Sequence, residues 1–146
     1  MPEKRTMERA RKDRREGKSG STQAGEFVRE EMHHVREGKH GARSSKQAIA
    51  IGLSKARRAG VKTGTPKNAS AETRRKAARD TAKGKRGGKV SRTRSRATSG
   101  ALKREGHSAA SRTSLARQAH SAARKRSSSE RSNAAKKAAR TRRSSR

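Results

Sequence analysis

The run SSKQAIAIGLSKARR at residues 44–58 carries the strongest folding signal in the chain. Ser44 and Gln47 have the spacing of a capping box, in which the first residue caps a helix and the fourth reaches back to its start. Ile49 and Leu53 follow one helical turn apart, as expected for one face of an amphipathic helix. The run ends in two arginines shortly before a glycine, a pattern typical of a helix C-terminus. We therefore predict a helix here.

A second amphipathic pattern precedes this run, at about residues 24–37. Val28, Met32 and Val35 recur at i, i+4 and i+7, which is the spacing of a single helix face. Because only a short loop separates the two patterns, we predict a helical hairpin over about residues 24–60. Its predicted core consists of the larger apolar side chains of the two helices: Phe27, Val28, Met32, Val35, Ile49 and Leu53.

The composition limits how much else can fold alone. The chain has 146 residues, of which 43 are Lys or Arg and 12 are Asp or Glu, for a formal net charge of +31. Apart from 24 alanines, only 13 residues are apolar. Burying so few large side chains gives little free energy against the entropy lost on ordering the chain. We therefore predict a mostly disordered, all-α protein with one short hairpin and Ala-rich basic helices that form on a partner.

Charge is distributed unevenly along the chain. Residues 1–40 have a net charge of +3, and residues 41–146 have a net charge of +28. Four segments follow from these shifts in composition. They are a polar charged N-terminal helix at 1–20, the hairpin module at 21–61, a basic Gly/Ser-containing linker with one Ala-rich helix at 62–99, and a cationic tail rich in Lys, Arg, Ala and Ser at 100–146.

The basic surplus predicts a polyanionic partner. Duplex DNA carries about one negative charge per 1.7 Å of its axis, so clustered cations neutralise its phosphates without reading sequence. Phe27 is the only aromatic residue, which disfavours single-stranded RNA because its recognition usually relies on aromatic stacking. The predicted phosphate ligands are Lys46, Lys55, Arg57, Arg58, Arg74, Arg75, Lys76, Lys85, Arg86, Arg92, Arg94, Arg96, Arg124, Lys125, Arg126, Lys136, Lys137, Arg140, Arg142 and Arg143.

Several function classes lack the residues they require. The chain has no cysteine, and its longest apolar run is six residues, so we expect neither thiolate metal sites nor a membrane segment. No catalytic triad, dyad or cofactor loop is recognisable, and we expect no enzyme activity, no cofactor and no small-molecule substrate. Two pairs, Glu30 with His33 and Glu31 with His34, have the Glu-x-x-His spacing of metal ligands in helical bundles, with His40 nearby. Such sites need ligands from several helices, so we expect a polar helix face and no metal.

The central segment resembles a known family. The runs EFVREE at 26–31 and SKQAIAIGLS at 45–54, together with ALKREG at 101–106, are similar to small, basic bacterial proteins that carry only a domain-of-unknown-function label. The resemblance implies a bacterial origin and transfers no activity or site residue. The Lys/Ala-rich tail is similar in composition to linker histones and bacterial histone-like proteins.

These observations favour a cytoplasmic, nucleoid-associated protein that binds duplex DNA through its phosphates. An RNA- or ribosome-associated basic protein is the first alternative, because basic tails also thread between RNA helices. The second is an interaction module whose hairpin docks on a partner or forms a homodimer through residues 24–60, with the tails merely localising it.

Overall fold

The computed structural model describes residues 2–88 and 90–144, and the regular elements in this part of the chain are all helical. In chain order the α-helices are α1 Lys4–Arg15, α2 Gly20–Arg36, α3 Ser45–Arg58, α4 Ala71–Arg86, α5 Arg92–Lys103, α6 Arg112–Arg124 and α7 Ser128–Ser144. A 3₁₀ turn, Ser108–Ala110, precedes α6. The all-α prediction is confirmed for these residues.

The prediction of a mostly disordered chain is wrong for the described residues, and the hairpin is only part of what folds. That prediction treated the large apolar side chains as the whole supply of core. The structure buries eight alanines alongside Phe27, Met32 and Val35. Alanine loses no rotamer entropy on burial, and its small side chain lets helices pack closely. A thin supply of large side chains therefore supports a larger helical module than the sequence predicted.

The predicted hairpin is formed by α2 and α3, which have the most extensive packing in the molecule. The Ser44 hydroxyl accepts a hydrogen bond from the Gln47 N–H at 3.2 Å, so the predicted N-cap is present. The Gln47 side chain reaches back one residue further than a standard capping box, accepting from the Arg43 N–H at 2.7 Å. Two backbone donors at the start of α3 are thereby satisfied.

The face that α3 turns inward is a stripe of small residues. Ser45, Ala48, Gly52 and Ala56 are buried at intervals of three to four residues. Ile49 and Leu53, which the periodicity placed in the core, are half-buried beside this stripe, and so is Val28 of α2. Phe27 and Val35 are fully buried, and Met32 is 6% exposed.

Helix α1 docks on α2, although its sequence shows no obvious apolar face. It buries Thr6, Ala10 and Asp13. Ala10 belongs to a core cluster with Ala24, Phe27 and Ala56, and Met7 packs against this cluster. The polar N-terminal helix is therefore part of the folded module, because alanine and a short polar side chain suffice for a close contact.

Two later segments also pack on the hairpin. Helix α4 lies against α3, with Ala77 buried at the contact. The Ser108–Ala110 turn packs against both hairpin helices. The Ala109 carbonyl oxygen accepts a hydrogen bond from the Ser45 hydroxyl at 2.6 Å. The Ala110 carbonyl oxygen accepts one from Arg36 Nε at 2.9 Å. These contacts join residues more than sixty positions apart in the sequence.

The chain divides into two compact units, the first ending at Ser111 and the second beginning at Arg112. The second unit contains α6 and α7, and α6 has no buried residue. Ser127 and Glu130 form a reciprocal capping box at the start of α7, with N···O distances of 3.0 and 3.2 Å. The prediction that such Ala-rich helices form only on a partner overlooked this cap and the high helix propensity of Ala, Lys and Arg.

Candidate nucleic-acid interface

The cations predicted to bind phosphate are mostly on the surface. Of those twenty residues, all are exposed except Lys55 and Arg57, which are half-buried. They lie on α3, α4, α5, α6 and α7, except for Lys125 and Arg126, which lie between α6 and α7. The structure thus places cationic side chains on solvent-facing positions of helices, where the sequence predicted flexible arms.

Three of the predicted phosphate ligands already have carboxylate partners. Lys55 Nζ lies 2.6 Å from a Glu31 oxygen, Arg58 Nη2 lies 2.8 Å from Asp80, and Lys76 Nζ lies 2.6 Å from Glu72. The last two pairs are at the surface, where an ion pair is weak enough to exchange for a phosphate. Lys55 differs because its partner is fully buried, so we remove it from the phosphate-binding set.

Helix α5 has an open, arginine-lined surface in the first unit. One depression is lined by three arginines and three smaller residues: Arg92, Arg96, Arg104, Thr93, Ala97 and Gly100. No residue of α5 is buried. Small residues between the arginines leave room for a phosphate backbone to approach. The Ser91 hydroxyl caps the helix by accepting from the Arg94 N–H at 3.4 Å. A capped helix presents these arginines at regular spacing, as backbone contact with a duplex requires.

Half of the acidic residues at the front of the chain are withdrawn from the surface. Glu30 and Glu31 of α2 and Asp13 of α1 are buried, and the Glu26 side chain is 14% exposed. The other four, Glu3, Glu8, Glu16 and Glu37, are exposed, so only part of the acidic charge contributes to the outer surface of this module. Its outer surface is more basic than its composition indicates.

The buried carboxylates form a cluster with Lys55 and two histidines. Glu30 Oε1 lies 3.6 Å from Lys55 Nζ, and its other oxygen accepts from the Glu3 backbone N–H at 3.1 Å. Glu31 contacts Lys55 through Oε2 and lies 3.1 Å from His40 Nε2 through Oε1. His34 joins the group, with its ring centroid 6.0 Å from that of His40.

Part of this cluster has a composition suited to a metal. One carboxylate oxygen of Glu31 and one ring nitrogen each of His34 and His40 lie within 4.8 Å of one another. Sequence reasoning paired Glu31 with His34 but had no second element to complete the set. The structure brings in His40 from the loop between α2 and α3.

The Glu3 side chain contacts His34 from outside this cluster. Its Oε1 accepts a hydrogen bond from His34 Nε2 at 2.8 Å and lies 3.3 Å from Lys39 Nζ. The hydrogen bond from His34, followed by the contact with Lys39, lowers the pKa of Glu3. Glu3 thereby links the start of α1 to the end of α2.

The corner between α1 and α2, at residues 16–19, has a structural role. Residues 17–19 read Gly-Lys-Ser, as at the end of a phosphate-binding loop, but position 12, where that motif requires glycine, is Lys12. Gly17 ends α1 with a φ of +70°, and the Ser19 hydroxyl caps α2. Lys18 is held by Glu16 at 2.8 Å and Asp13 at 2.9 Å, and these contacts raise the pKa of Lys18.

Comparisons with known proteins provide no relative, so a function has to be argued from the chain's own geometry. No family model, curated protein or solved structure matches the sequence. Within residues 2–88 and 90–144, none of the helices combines the length and apolar character that crossing a membrane requires.

Proposed function

We propose that this protein binds duplex DNA through its phosphate backbone, without sequence readout, as a bacterial nucleoid-associated protein. The observation that supports this most directly is the +28 net charge of residues 41–146. In the described residues, most of that charge is carried by solvent-facing helix positions, while Glu30 and Glu31 are buried. The folded module is a scaffold for the cations of α3 to α5, and α6 and α7 add a second cationic unit.

The direct test is the salt dependence of DNA binding. Affinity falls with a slope of about −0.9 per neutralised phosphate on a double-logarithmic plot against salt. A protein that contacts six to ten phosphates loses roughly 10³- to 10⁵-fold in affinity between 50 and 200 mM salt. We expect a fluorescence-anisotropy titration with a 30-base-pair duplex to fall in this range for several unrelated sequences. A change of less than about tenfold contradicts the proposal.

Competition with RNA separates duplex DNA from the first alternative. We expect structured RNA, at equal phosphate concentration and matched salt, to compete no better than random duplex DNA. A preference for RNA of about tenfold or more reverses the ordering and favours an RNA- or ribosome-associated role. In cells, release of the protein by DNase and not by RNase is the corresponding expectation, and it also tests the proposed nucleoid localisation.

Dimerisation through the hairpin is a weaker proposal. Helices α1 and α4 and the Ser108–Ala110 turn already pack on α2 and α3. A homodimer built on residues 24–60 therefore has to use the remaining half-buried surface or displace one of these elements.

A further inference from the structure

We propose that Glu31, His34 and His40 form a binding site for a divalent transition metal, with Zn²⁺ as the favoured ion. The inference does not rest on DNA binding. It concerns the interior of the helical module, on the side where the start of α1 meets the end of α2. One carboxylate oxygen and two imidazole nitrogens converge there within 4.8 Å of one another.

The hydrogen bonding of His40 leaves a lone pair facing a carboxylate. Its Nδ1 lies 3.0 Å from the Gly41 carbonyl oxygen, which can only accept, so Nδ1 carries a proton. In neutral imidazole the lone pair then lies on Nε2, 3.1 Å from Glu31 Oε1. Two lone pairs in contact repel unless a cation lies between them. A metal ion satisfies both, and a backbone carbonyl on the opposite ring nitrogen is the usual way of orienting a histidine ligand.

Glu31 is itself poorly satisfied. It is fully buried, and neither of its side-chain oxygens accepts a hydrogen bond within the described residues. Lys55 makes an ion pair with Oε2 and leaves Oε1 directed to the histidines. A buried carboxylate is normally hydrogen-bonded or coordinated, because an unpaired buried charge is strongly unfavourable. The Oε1 atom, which accepts no hydrogen bond, is thus available to a cation.

The charge of the pocket also favours a cation. Glu30 and Glu31 contribute two carboxylates, and Lys55 supplies one ammonium within contact distance. Glu30, Glu31 and Lys55 together have a formal charge of −1 in a chain whose net charge is +31. A divalent ion therefore meets a locally attractive site, even though the protein as a whole repels cations.

The second histidine, His34, also has an oxygen partner on one of its ring nitrogens. The Glu3 carboxylate accepts from His34 Nε2, so Nε2 carries a proton and the lone pair of a neutral ring lies on Nδ1. Carboxylate–histidine–metal chains of this kind are common around zinc. Glu3 is a positioning residue in this arrangement, since it acts through His34.

The donor set and spacing select the class of metal. Imidazole nitrogens suit zinc, copper, iron and nickel, whereas magnesium and calcium prefer oxygen ligands. Tetrahedral zinc with bonds of about 2.0 Å separates its ligand atoms by about 3.3 Å, close to the 3.1 Å between Glu31 Oε1 and His40 Nε2. Three protein ligands leave a fourth position for water or another group.

The test uses the full-length, untagged protein after treatment with a chelator. We expect calorimetric titration with ZnCl₂ to show saturable binding of one ion per chain and an upward shift of the thermal unfolding midpoint. His34→Asn and His40→Asn should each weaken binding at least tenfold. His33→Asn is the matched control, because His33 is the exposed neighbour of His34 on α2 and lies outside the cluster. Glu3→Gln should weaken binding by about tenfold, as expected for a positioning residue.

A measurement on the unmodified chain keeps the test decisive if a variant fails to fold. In a long-range ¹H–¹⁵N spectrum of the imidazoles, zinc should shift the ring nitrogens of His34 and His40 and leave His33, His107 and His120 unchanged. Cobalt should give visible ligand-field bands that EDTA abolishes. Binding that is not saturable, shifts that spread over all five histidines, or equal affinity in the His33 and His40 variants would overturn the proposal.

Discussion

Gly52 of α3 packs directly against the backbone of Val28 of α2. A Cβ atom at position 52 would lie 2.7 Å from Val28 Cα and 3.0 Å from its backbone nitrogen. Such distances leave no room for a side chain, so α2 and α3 approach each other closely where α3 has a glycine. Glycine in a helix interior is unfavourable by about 1 kcal/mol relative to alanine, and the close approach is what offsets this penalty.

We therefore expect Gly52→Ala to destabilise the folded module by about 1–3 kcal/mol, the usual range for overpacking a tight contact. The measurement is chemical unfolding followed by circular dichroism. Gly25→Ala on α2 is the matched control, because a Cβ there meets nothing within 4 Å. It should stabilise the protein by about 0.5–1 kcal/mol through helix propensity. Equal effects at the two positions would contradict the close crossing.

The hairpin was predictable because its signals are local. A cap at Ser44, a helical period and a terminating glycine lie within one short run, and each forms as expected. The docking of α1 and the contact between Ser45 and Ala109 were not predictable in the same way. They depend on alanines and backbone carbonyls, which produce no recognisable periodicity in a sequence already rich in alanine.

Lys55 was predicted as a phosphate ligand from the abundance of cations in this part of the chain. The inward face of α3 follows the small residues Ala48 and Gly52, and Lys55 lies seven positions after the first and three after the second. This position beside the inward face brings its ammonium to the buried carboxylates of Glu30 and Glu31. The convergence of Glu31, His34 and His40 needed the tertiary structure, since it depends on how the loop before α3 folds back.

Lys55 should be important for stability. Its ammonium is the one close cation partner shown for both Glu30 and Glu31, whose side chains are 2% and 1% exposed. Replacing it with methionine leaves two buried carboxylates next to each other. We expect Lys55→Met to destabilise the module by roughly 2 kcal/mol. Breaking a fully buried ion pair costs about 3–5 kcal/mol, and the cost here is lower because the Lys55 side chain is 25% exposed.

Lys46→Met is the matched control for this substitution. Lys46 lies on the same helix and is exposed, so the change should stay within about 0.5 kcal/mol in the same unfolding experiment. A Lys55→Met protein as stable as the Lys46 variant would mean that Glu30 and Glu31 are neutralised in some other way.

The Ser108–Ala110 turn should depend on Ser45. The Ser45 hydroxyl is buried and donates to the Ala109 carbonyl at 2.6 Å. Ser45→Ala removes the donor and leaves the carbonyl unsatisfied, which we expect to destabilise the protein by about 1–2 kcal/mol. Hydrogen exchange should show faster exchange at the Ala110 N–H, which is bonded to the His107 carbonyl. Ser99→Ala, at an exposed position of α5, should leave both measurements nearly unchanged.

Stability should fall in acid partly through the corner between α1 and α2. The hydrogen bond from Lys18 lowers the pKa of Glu16 from its ordinary value of 4.5. A carboxylate whose pKa is lower in the folded state stabilises the fold above its unfolded pKa, and this contribution is lost as the pH falls through the folded pKa. The pKa of Lys18 is raised, so its contribution is present below 10.5 and is lost only at high pH.

We therefore expect Glu16→Gln to lower the unfolding midpoint at pH 7 and to have less effect as the pH approaches 2. Thermal unfolding across this pH range measures the difference between the two proteins. Glu8→Gln is the control, since Glu8 is exposed and has no ion pair within the described residues. A difference that stays constant with pH would show that Glu16 acts through something other than its charge.

The arginines of α5 should contribute to DNA binding more than equally exposed cations of α1. Arg92 and Arg96 line an open depression on α5, in the strongly basic part of the chain. Each phosphate contact contributes about one unit to the salt slope, so neutralising both arginines with glutamine should reduce the slope by about two and weaken binding to all duplexes alike.

Arg5→Gln with Arg11→Gln removes the same charge from exposed positions of α1, in the nearly balanced front of the chain. We expect this control pair to change the slope by less than one, since its loss is felt only through the long-range field, which salt screens over about 10 Å. Equal slopes for the two double variants would mean that DNA responds to total charge alone and that α5 has no special place in the interface.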